Sequence, residues 1–207
     1  MIKVVTFDCY GTLFDWIYGI KSVINYVLGK DYLDEFFNLE REELITRRPY
    51  SQILKSCLKR LCEAHGVRYE ERYGDALVIS FAKSPPFPDV VPGLTLLKEK
   101  GIKVGIISNT ERRLINVTLS GIEYLVDYVV TFEDTGYYKP AHKAFTEALK
   151  LMGVSKDEVV HVSAYPYYDL IPARELGIRT VMIDRYGFRW DTKVKDLEEL
   201  VKVVTRL

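Results

Sequence analysis

A carboxylate, a hydroxyl, an amide, an ammonium and a second carboxylate stand in that order along the chain, at Asp8, Ser108, Asn109, Lys139 and Asp169. Asp8 closes the apolar run Val4-Val5-Thr6-Phe7 and is soon followed by Gly11 and Thr12. Ser108 and Asn109 close Val104-Gly105-Ile106-Ile107, and Ser163 closes Val159-Val160-His161-Val162 shortly before Asp169. Gathered in one crevice, these groups supply covalent catalysis by a carboxylate nucleophile. A lysine keeps the nucleophile ionised, because an opposite charge within about 4–6 Å favours the charged form, and a second acid is available to activate water.

The elements that must position these residues are legible as alternating patterns. Residues 3–8 are β-branched and apolar up to the acid, as in a strand buried on both faces of a parallel sheet. From Trp16 to about Phe81 the apolar spacing turns helical, broken at Gly29, Pro49 and Gly66, which predicts an all-helical insert. Pro85-Pro86-Phe87-Pro88 cannot continue a helix and marks the return. After Pro92-Gly93 the pattern predicts helix 94–100, strand 104–108, helix 111–120, strand 128–131, helix 141–152, strand 159–162, helix 170–176, strand 180–183 and a terminal helix near 196–204. Alternating strands and helices form βαβ units, which build an open parallel sheet with ligands beyond the strands' carboxyl ends. The expected architecture is α/β: a Rossmann-like three-layer α/β/α core of residues 1–14 and 86–207, with a helical domain at 15–85.

Composition narrows the partners. Twenty-nine basic and 29 acidic residues give zero formal net charge over 207 residues, without the electrostatic footprint of a nucleic-acid or anionic-membrane binder. A small-molecule substrate is expected. Cys9, Cys57 and Cys62 have neither CxxC spacing nor paired histidines, so no disulfide framework or zinc site is written, and a reducing cytoplasm fits best. The opening MIKVVTFDCYGTLF lacks the apolar core of a signal peptide, and no stretch approaches the roughly 18 apolar residues of a membrane span. One Gln and four Asn beside many Lys, Glu and Arg match the usage of proteins from hot-living organisms.

Taken together, Asp8-Cys9-Tyr10-Gly11-Thr12-Leu13, Ser108-Asn109, Lys139-Pro140 and Asp169 resemble the four motifs of the haloacid dehalogenase superfamily, in order and after four predicted strands. The helical insert after the first motif is similar to that family's cap domain, implied to close over the crevice. Phosphatases of the superfamily carry a second Asp where Tyr10 stands, and Gly-Asp where Ser163-Ala164 stand. The Asp-x-Tyr-Gly-Thr start and the fourth-motif serine instead resemble the metal-free (S)-2-haloacid dehalogenases. That resemblance implies Asp8 as nucleophile, Lys139 as its counter-ion, Thr12 and Ser108 as hydrogen-bond donors, and Asn109 as donor to the departing halide. It implies Asp169, supported by Ser163, beside the hydrolytic water, with Tyr10 at the crevice.

The chain departs from the dehalogenase pattern at Tyr165, where an Asn is expected, and at Phe145, where a Tyr is expected. The segment from Ser163 to Asp169 has the phosphatase spacing. A substrate-gripping cap arginine is sought among Arg41, Arg47 and Arg48, with Arg41 on Leu39-Glu40-Arg41-Glu42-Glu43-Leu44 taken first. Three functions follow: a 2-haloacid dehalogenase without cofactor, a phosphatase with magnesium on Asp8, the Tyr10 carbonyl and Asp169, or a silent binding protein. The family suggests a homodimer. Simpler readings stand beside these, with Asp169 and Asn109 as helix N-caps, Cys9 as a buried structural thiol and His161 as a satisfied core histidine.

Overall fold

The computed structural model describes residues 2–46 and 48–207, so Met1 and the candidate arginine Arg47 lie outside the described residues. The elements run β1 (Val4–Phe7), α1 (Trp16–Leu28), α2 (Leu33–Glu43), α3 (Tyr50–Ala64), α4 (Glu71–Ala82), α5 (Val90–Glu99), β2 (Lys103–Ser108) and α6 (Arg112–Thr118). They continue as β3 (Tyr128–Thr131), α7 (Phe132–Thr135), α8 (His142–Met152), β4 (Val159–Ser163), α9 (Ile171–Glu175), β5 (Arg179–Ile183), β6 (Lys193–Val194) and α10 (Leu197–Val204). Two compact units divide them: Met1–Phe14, Pro86–Asn109 and Leu119–Leu207 form one, and Asp15–Pro85 with Thr110–Thr118 form the other.

The first unit is built on a parallel sheet of order β3-β2-β1-β4-β5-β6 among the described residues. Every residue of β1 and β4 is buried, as the β-branched composition of strands covered on both faces requires. From β1 the chain steps outward to β2 and β3, then returns to β4 on the other side of β1 and continues to β5 and β6. The order reverses between β1 and β4, and in such sheets the crevice at that reversal is where ligands bind. Register brings Thr6 opposite His161 and Phe7 opposite Val162.

Helix α8 shows how the crossovers lock on. Its buried residues Ala144, Phe145, Ala148, Leu149 and Met152 recur at helical spacing, and they cluster with Val4, Ile107, Val130 and Val159 of the sheet. Helices α5 and α10 approach each other so closely that only hydrogen fits between them at Gly93: a Cβ there would stand 2.1 Å from the Cβ of Leu197. Strand β6 was not anticipated from the sequence. It is two residues long, and its place is fixed by the bonds Met182 N–H to Thr192 O at 2.9 Å and Asp184 N–H to Val194 O at 2.8 Å.

The second unit consists of α1 to α4 with α6. Ile53, Leu54, Cys57, Leu58, Leu61 and Cys62 form the buried stripe of α3, and Trp16 of α1 packs against Phe37 and Phe81. The α6 segment is tied to these helices by polar bonds between residues far apart in sequence. The Glu111 carboxylate accepts the Ser51 N–H at 2.6 Å in the first turn of α3, and the Thr118 hydroxyl donates to the Ala82 carbonyl at 2.8 Å. Among the described residues no helix is long and apolar enough to cross a membrane.

Overpacking a helix contact costs about 1–3 kcal/mol. Gly93→Ala is therefore expected to lower the urea midpoint of unfolding by a corresponding amount with the m-value unchanged. An unmoved midpoint would show that α5 and α10 part without cost.

Candidate active site

Asp8 follows β1 and is anchored to β4 by its N–H, which donates to the Val162 carbonyl at 3.0 Å. The chain then turns sharply, with Gly11 N–H to Phe14 O at 2.7 Å and Leu13 N–H to Cys9 O at 2.8 Å. Glycine is required at position 11 on two counts. Its φ is +86°, in the left-handed region, and a Cβ would lie 2.1 Å from the Tyr165 hydroxyl oxygen. The turn carries Thr12 back over the strand end, where its hydroxyl donates to Asp8 Oδ2 at 2.8 Å and accepts the Ala164 N–H at 3.0 Å. One hydroxyl thus joins the ends of β1 and β4.

Lys139 reaches the same point from the segment after α7. Its ammonium donates to Asp8 Oδ1 at 2.8 Å, Asp169 Oδ1 at 2.6 Å and the Ile107 carbonyl at 2.9 Å. All three of its protons are therefore committed, and the side chain is only 2% exposed. The backbone of Lys139 is itself held by Asn109. Asn109 Oδ1 accepts the Lys139 N–H at 2.7 Å, and its amide nitrogen donates to the Lys139 carbonyl at 2.9 Å. Arg185, beyond β5, donates to the Thr12 carbonyl at 3.2 Å and pairs with Asp89, so the first-motif turn is braced from behind.

Asp169 lies inside a π-helical turn, Pro166–Leu170, that leads into α9. Its carboxylate takes the Lys139 ammonium and also His161, whose Nε2 stands 3.0 Å from Oδ1. The other ring nitrogen, Nδ1, is 2.9 Å from the Thr6 hydroxyl. Two carboxylates, one ammonium and one imidazole are thus closed into a single buried cluster.

A family model described as haloacid dehalogenase-like hydrolase matches residues 2–177. The chain belongs to that family of hydrolases. This haloacid dehalogenase-like hydrolase is 26% identical over 204 residues to haloacetate dehalogenase H-2 of Moraxella sp. (strain B), covering 92% of this chain and 89% of that one. It is 27% identical over 235 residues to glyceraldehyde 3-phosphate phosphatase of Methanocaldococcus jannaschii, covering 100% of this chain and 99% of that one. Its fold matches the structure of L-2-haloacid dehalogenase from Xanthobacter autotrophicus with chloropropionic acid covalently bound, at a TM-score of 0.88, 19% identity and 99% of both chains.

Within this hydrolase the strand-end residues expected from the sequence meet. Asp8, Thr12, Lys139 and Asp169 share direct hydrogen bonds, and Ser108 is buried at the end of β2. Tyr10 is buried in the first-motif turn, and Cys9 is a buried thiol pushed up by burial and by the neighbouring Asp8 charge. Two expectations need correction. Asp169 is supported by His161 and not by Ser163, whose hydroxyl accepts the Tyr165 N–H at 3.0 Å and stands 3.4 Å from Thr12 Oγ1. Asp169 is also not a helix N-cap, because its carboxylate turns inward to two cationic or N–H donors. Asn109 spends its carbonyl and one N–H on Lys139, so its first task is to fix the lysine's backbone. Arg41 lies in the second unit, exposed on α2 and bonded to Asn38, and Arg48 pairs there with Glu43. Tyr165 stacks on Tyr186 with ring centroids 5.4 Å apart, whereas Tyr167 is exposed.

His161 and Thr6 were not singled out for a site, yet parity could have found them. Side chains two apart on a strand share a face, so His161 looks the same way as Ser163 and Thr6 the same way as Asp8. Arg185 carried no local signal.

The donors present fit a magnesium ion poorly. That ion requires about six oxygens in octahedral array. Both Asp8 oxygens already accept hydrogen bonds, Asp169 Oδ1 accepts two, and Ala164 offers a methyl group. Among the described residues no group of three or more His, Cys, Asp or Glu is arranged around a common point that could hold a metal.

The two carboxylates divide the lysine unequally. Burial works against both charges. In Asp169 the Lys139 charge and the His161 hydrogen bond outweigh burial and hold the carboxyl below its ordinary range. In Asp8 burial, aided by the Asp169 charge, outweighs Lys139 and raises the carboxyl above it. Lys139, although burial disfavours its charge, is held protonated by both acids and lies above its usual value. A nucleophile with a raised pKa is protonated sooner on acidification. The acid limb of kcat/KM for the hydrolytic reaction is thus expected to have its midpoint above the ordinary aspartate value of about 3.9. A midpoint at or below that value would contradict the unequal division.

Proposed function

We propose that this hydrolase is a 2-haloacid dehalogenase that needs no metal, with Asp8 as nucleophile. The observation that carries the reading is the Asp8 carboxylate held at both oxygens, by Lys139 at 2.8 Å and Thr12 at 2.8 Å, with a second carboxylate on the same ammonium. A nucleophile clamped at both ends is aligned for in-line attack on a carbon bearing a leaving group. Tyr10 and Ala164 stand where the family's phosphatases carry further acids, and the similarity to a haloacetate dehalogenase supports the same choice.

In the first step an Asp8 oxygen bonds to C2 of the haloacid as the carbon–halogen bond breaks, and the electron pair leaves with the halide. An ester joins Asp8 to the acid. In the second step water adds to the Asp8 carbonyl carbon and the ester's C–O bond to Asp8 breaks. The 2-hydroxyacid leaves, Asp8 returns as carboxylate and one proton is released. Lys139 steadies the carboxylate before attack and polarises the ester carbonyl afterwards. Asp169, on the far side of the same ammonium, orients the attacking water. Because the three Lys139 protons are taken, the substrate's own carboxylate must be met by other donors, for which Ser108 and the second N–H of Asn109 are the candidates. Ser163 shapes the same floor. The helical unit, Asp15–Pro85 with Thr110–Thr118, is assigned the role of cap.

A phosphatase is the second reading, favoured by the similarity to a glyceraldehyde 3-phosphate phosphatase and by the Ser163-to-Asp169 spacing. Both are tested together. Purified protein in EDTA is expected to release halide from (S)-2-chloropropionate, and Asp8→Asn to lower that rate by about 10³-fold or more. Phosphate release that requires magnesium, without halide release, would replace the first reading by the second.

A further inference from the structure

His161 belongs to no task so far assigned, yet it is completely buried and bonded at both ring nitrogens. Its partners settle the proton. Asp169 already receives the Lys139 ammonium, and a carboxylate so held can only accept, so the hydrogen between the ring and Asp169 sits on Nε2. In the neutral ring Nδ1 is then an acceptor, and the Thr6 hydroxyl, 2.9 Å from Nδ1 against 3.4 Å from the Val160 carbonyl that is its other acceptor, is placed to donate to the ring. Thr6 lies directly opposite His161 in the sheet and two residues before Asp8. Phe145 closes the ring's remaining side edge-on, with centroids 5.2 Å apart.

We propose that His161 is a positioning residue for the second step: with its tautomer fixed by Thr6, it holds the Asp169 carboxylate oriented toward the water that hydrolyses the Asp8 ester. This rests on the dehalogenase reading. The argument is one of division. A single ammonium serves two carboxylates, and without a second donor Asp169 would turn freely about it or draw it away from Asp8. The imidazole supplies that donor on the Asp169 side alone, so its loss falls on ester hydrolysis more than on ester formation.

The test uses His161→Phe, which keeps a flat ring and removes both nitrogens, His161→Gln, whose amide nitrogen reaches the Nε2 position, and Thr6→Val, which keeps the β-branched shape without the hydroxyl. With (S)-2-chloropropionate, His161→Phe is expected to slow steady-state turnover about 10–100-fold. Its first-turnover halide burst is expected to change much less, with the ester accumulating on Asp8 as a mass increase. His161→Gln is expected to recover most of the loss, and Thr6→Val to show a smaller version of the same imbalance. Equal slowing of both steps with no rescue by Gln, or unaltered turnover in His161→Phe, would overturn the proposal and leave the ring as packing.

A second measurement does not depend on the reaction. The chain has three histidines. Nitrogen-15 spectra of labelled wild type, assigned by the signal missing from His161→Gln, are expected to show hydrogen on Nε2 of His161 and loss of the single tautomer in Thr6→Val. A neutral ring with hydrogen on Nδ1 would overturn the proposal. If the wild type releases no halide and forms no ester, the dehalogenase reading has failed, and the spectra still decide whether His161 donates to Asp169.

Discussion

The structure depends on one buried ammonium. Among the described residues the Lys139 ammonium is the group that the Asp8 and Asp169 carboxylates both touch directly, and an unpaired charge at that depth costs several kcal/mol. The three groups are 131 and 30 residues apart, so no local structure can bring them together. What does so is the sheet. Each group hangs from the end of a different strand or from the segment after it, and the parallel register sets their heights to within hydrogen-bonding distance. Fold and site are therefore one problem: the hydrophobic burial of β1, β2 and β4 stabilises an arrangement of charges that would repel or hydrate if the strands were not fixed.

Around this cluster the protein spends side chains on holding side chains. Asn109 satisfies the Lys139 backbone as a neighbouring strand would, where the chain has no strand to offer. Thr12 links the first-motif turn to the end of β4, and Arg185 with Asp89 braces that turn from the β5 side. Each bond is modest in net stability, about 0.5–1.5 kcal/mol between neutral groups and about 1.5–3 kcal/mol where one partner is charged, but every one removes a rotation from a group that must meet another. Geometry is what they secure.

Much of this was legible in the sequence because strand ends announce themselves. An apolar β-branched run that stops at an acid, a serine or a glycine reads as a buried strand entering a crevice, and Asp8, Ser108 and Ser163 all carry that signature. The helices followed from apolar spacing and from glycine and proline breaks to within a few residues. What escaped has a physical reason in each case. β6 is too short to show a period, and only the bonds from β5 define it. The π-helical turn at Pro166–Leu170 points Asp169 inward, whereas a proline three positions past a capping acid reads as an ordinary helix start. His161 sits within an apolar run where polarity looks like an exception to be tolerated, and only its pairing with Thr6 across the sheet reveals a partner. The grouping of Thr110–Thr118 with the helical unit depends on bonds to Ser51 and Ala82, contacts between distant residues that no local pattern encodes.

The seating of Tyr165 against Gly11 sets an order in which this site can change. The tyrosine ring occupies the space a side chain at position 11 would need, while the backbone there is already in a conformation that favours glycine. Position 165 is thus free to shrink, and a smaller residue would expose the bare backbone of the first-motif turn as new floor. Position 11 cannot grow first by any route, since it meets the ring and the backbone constraint at once. Divergence among related enzymes, or a designer reshaping the crevice, must therefore pass through the fourth motif before touching the first.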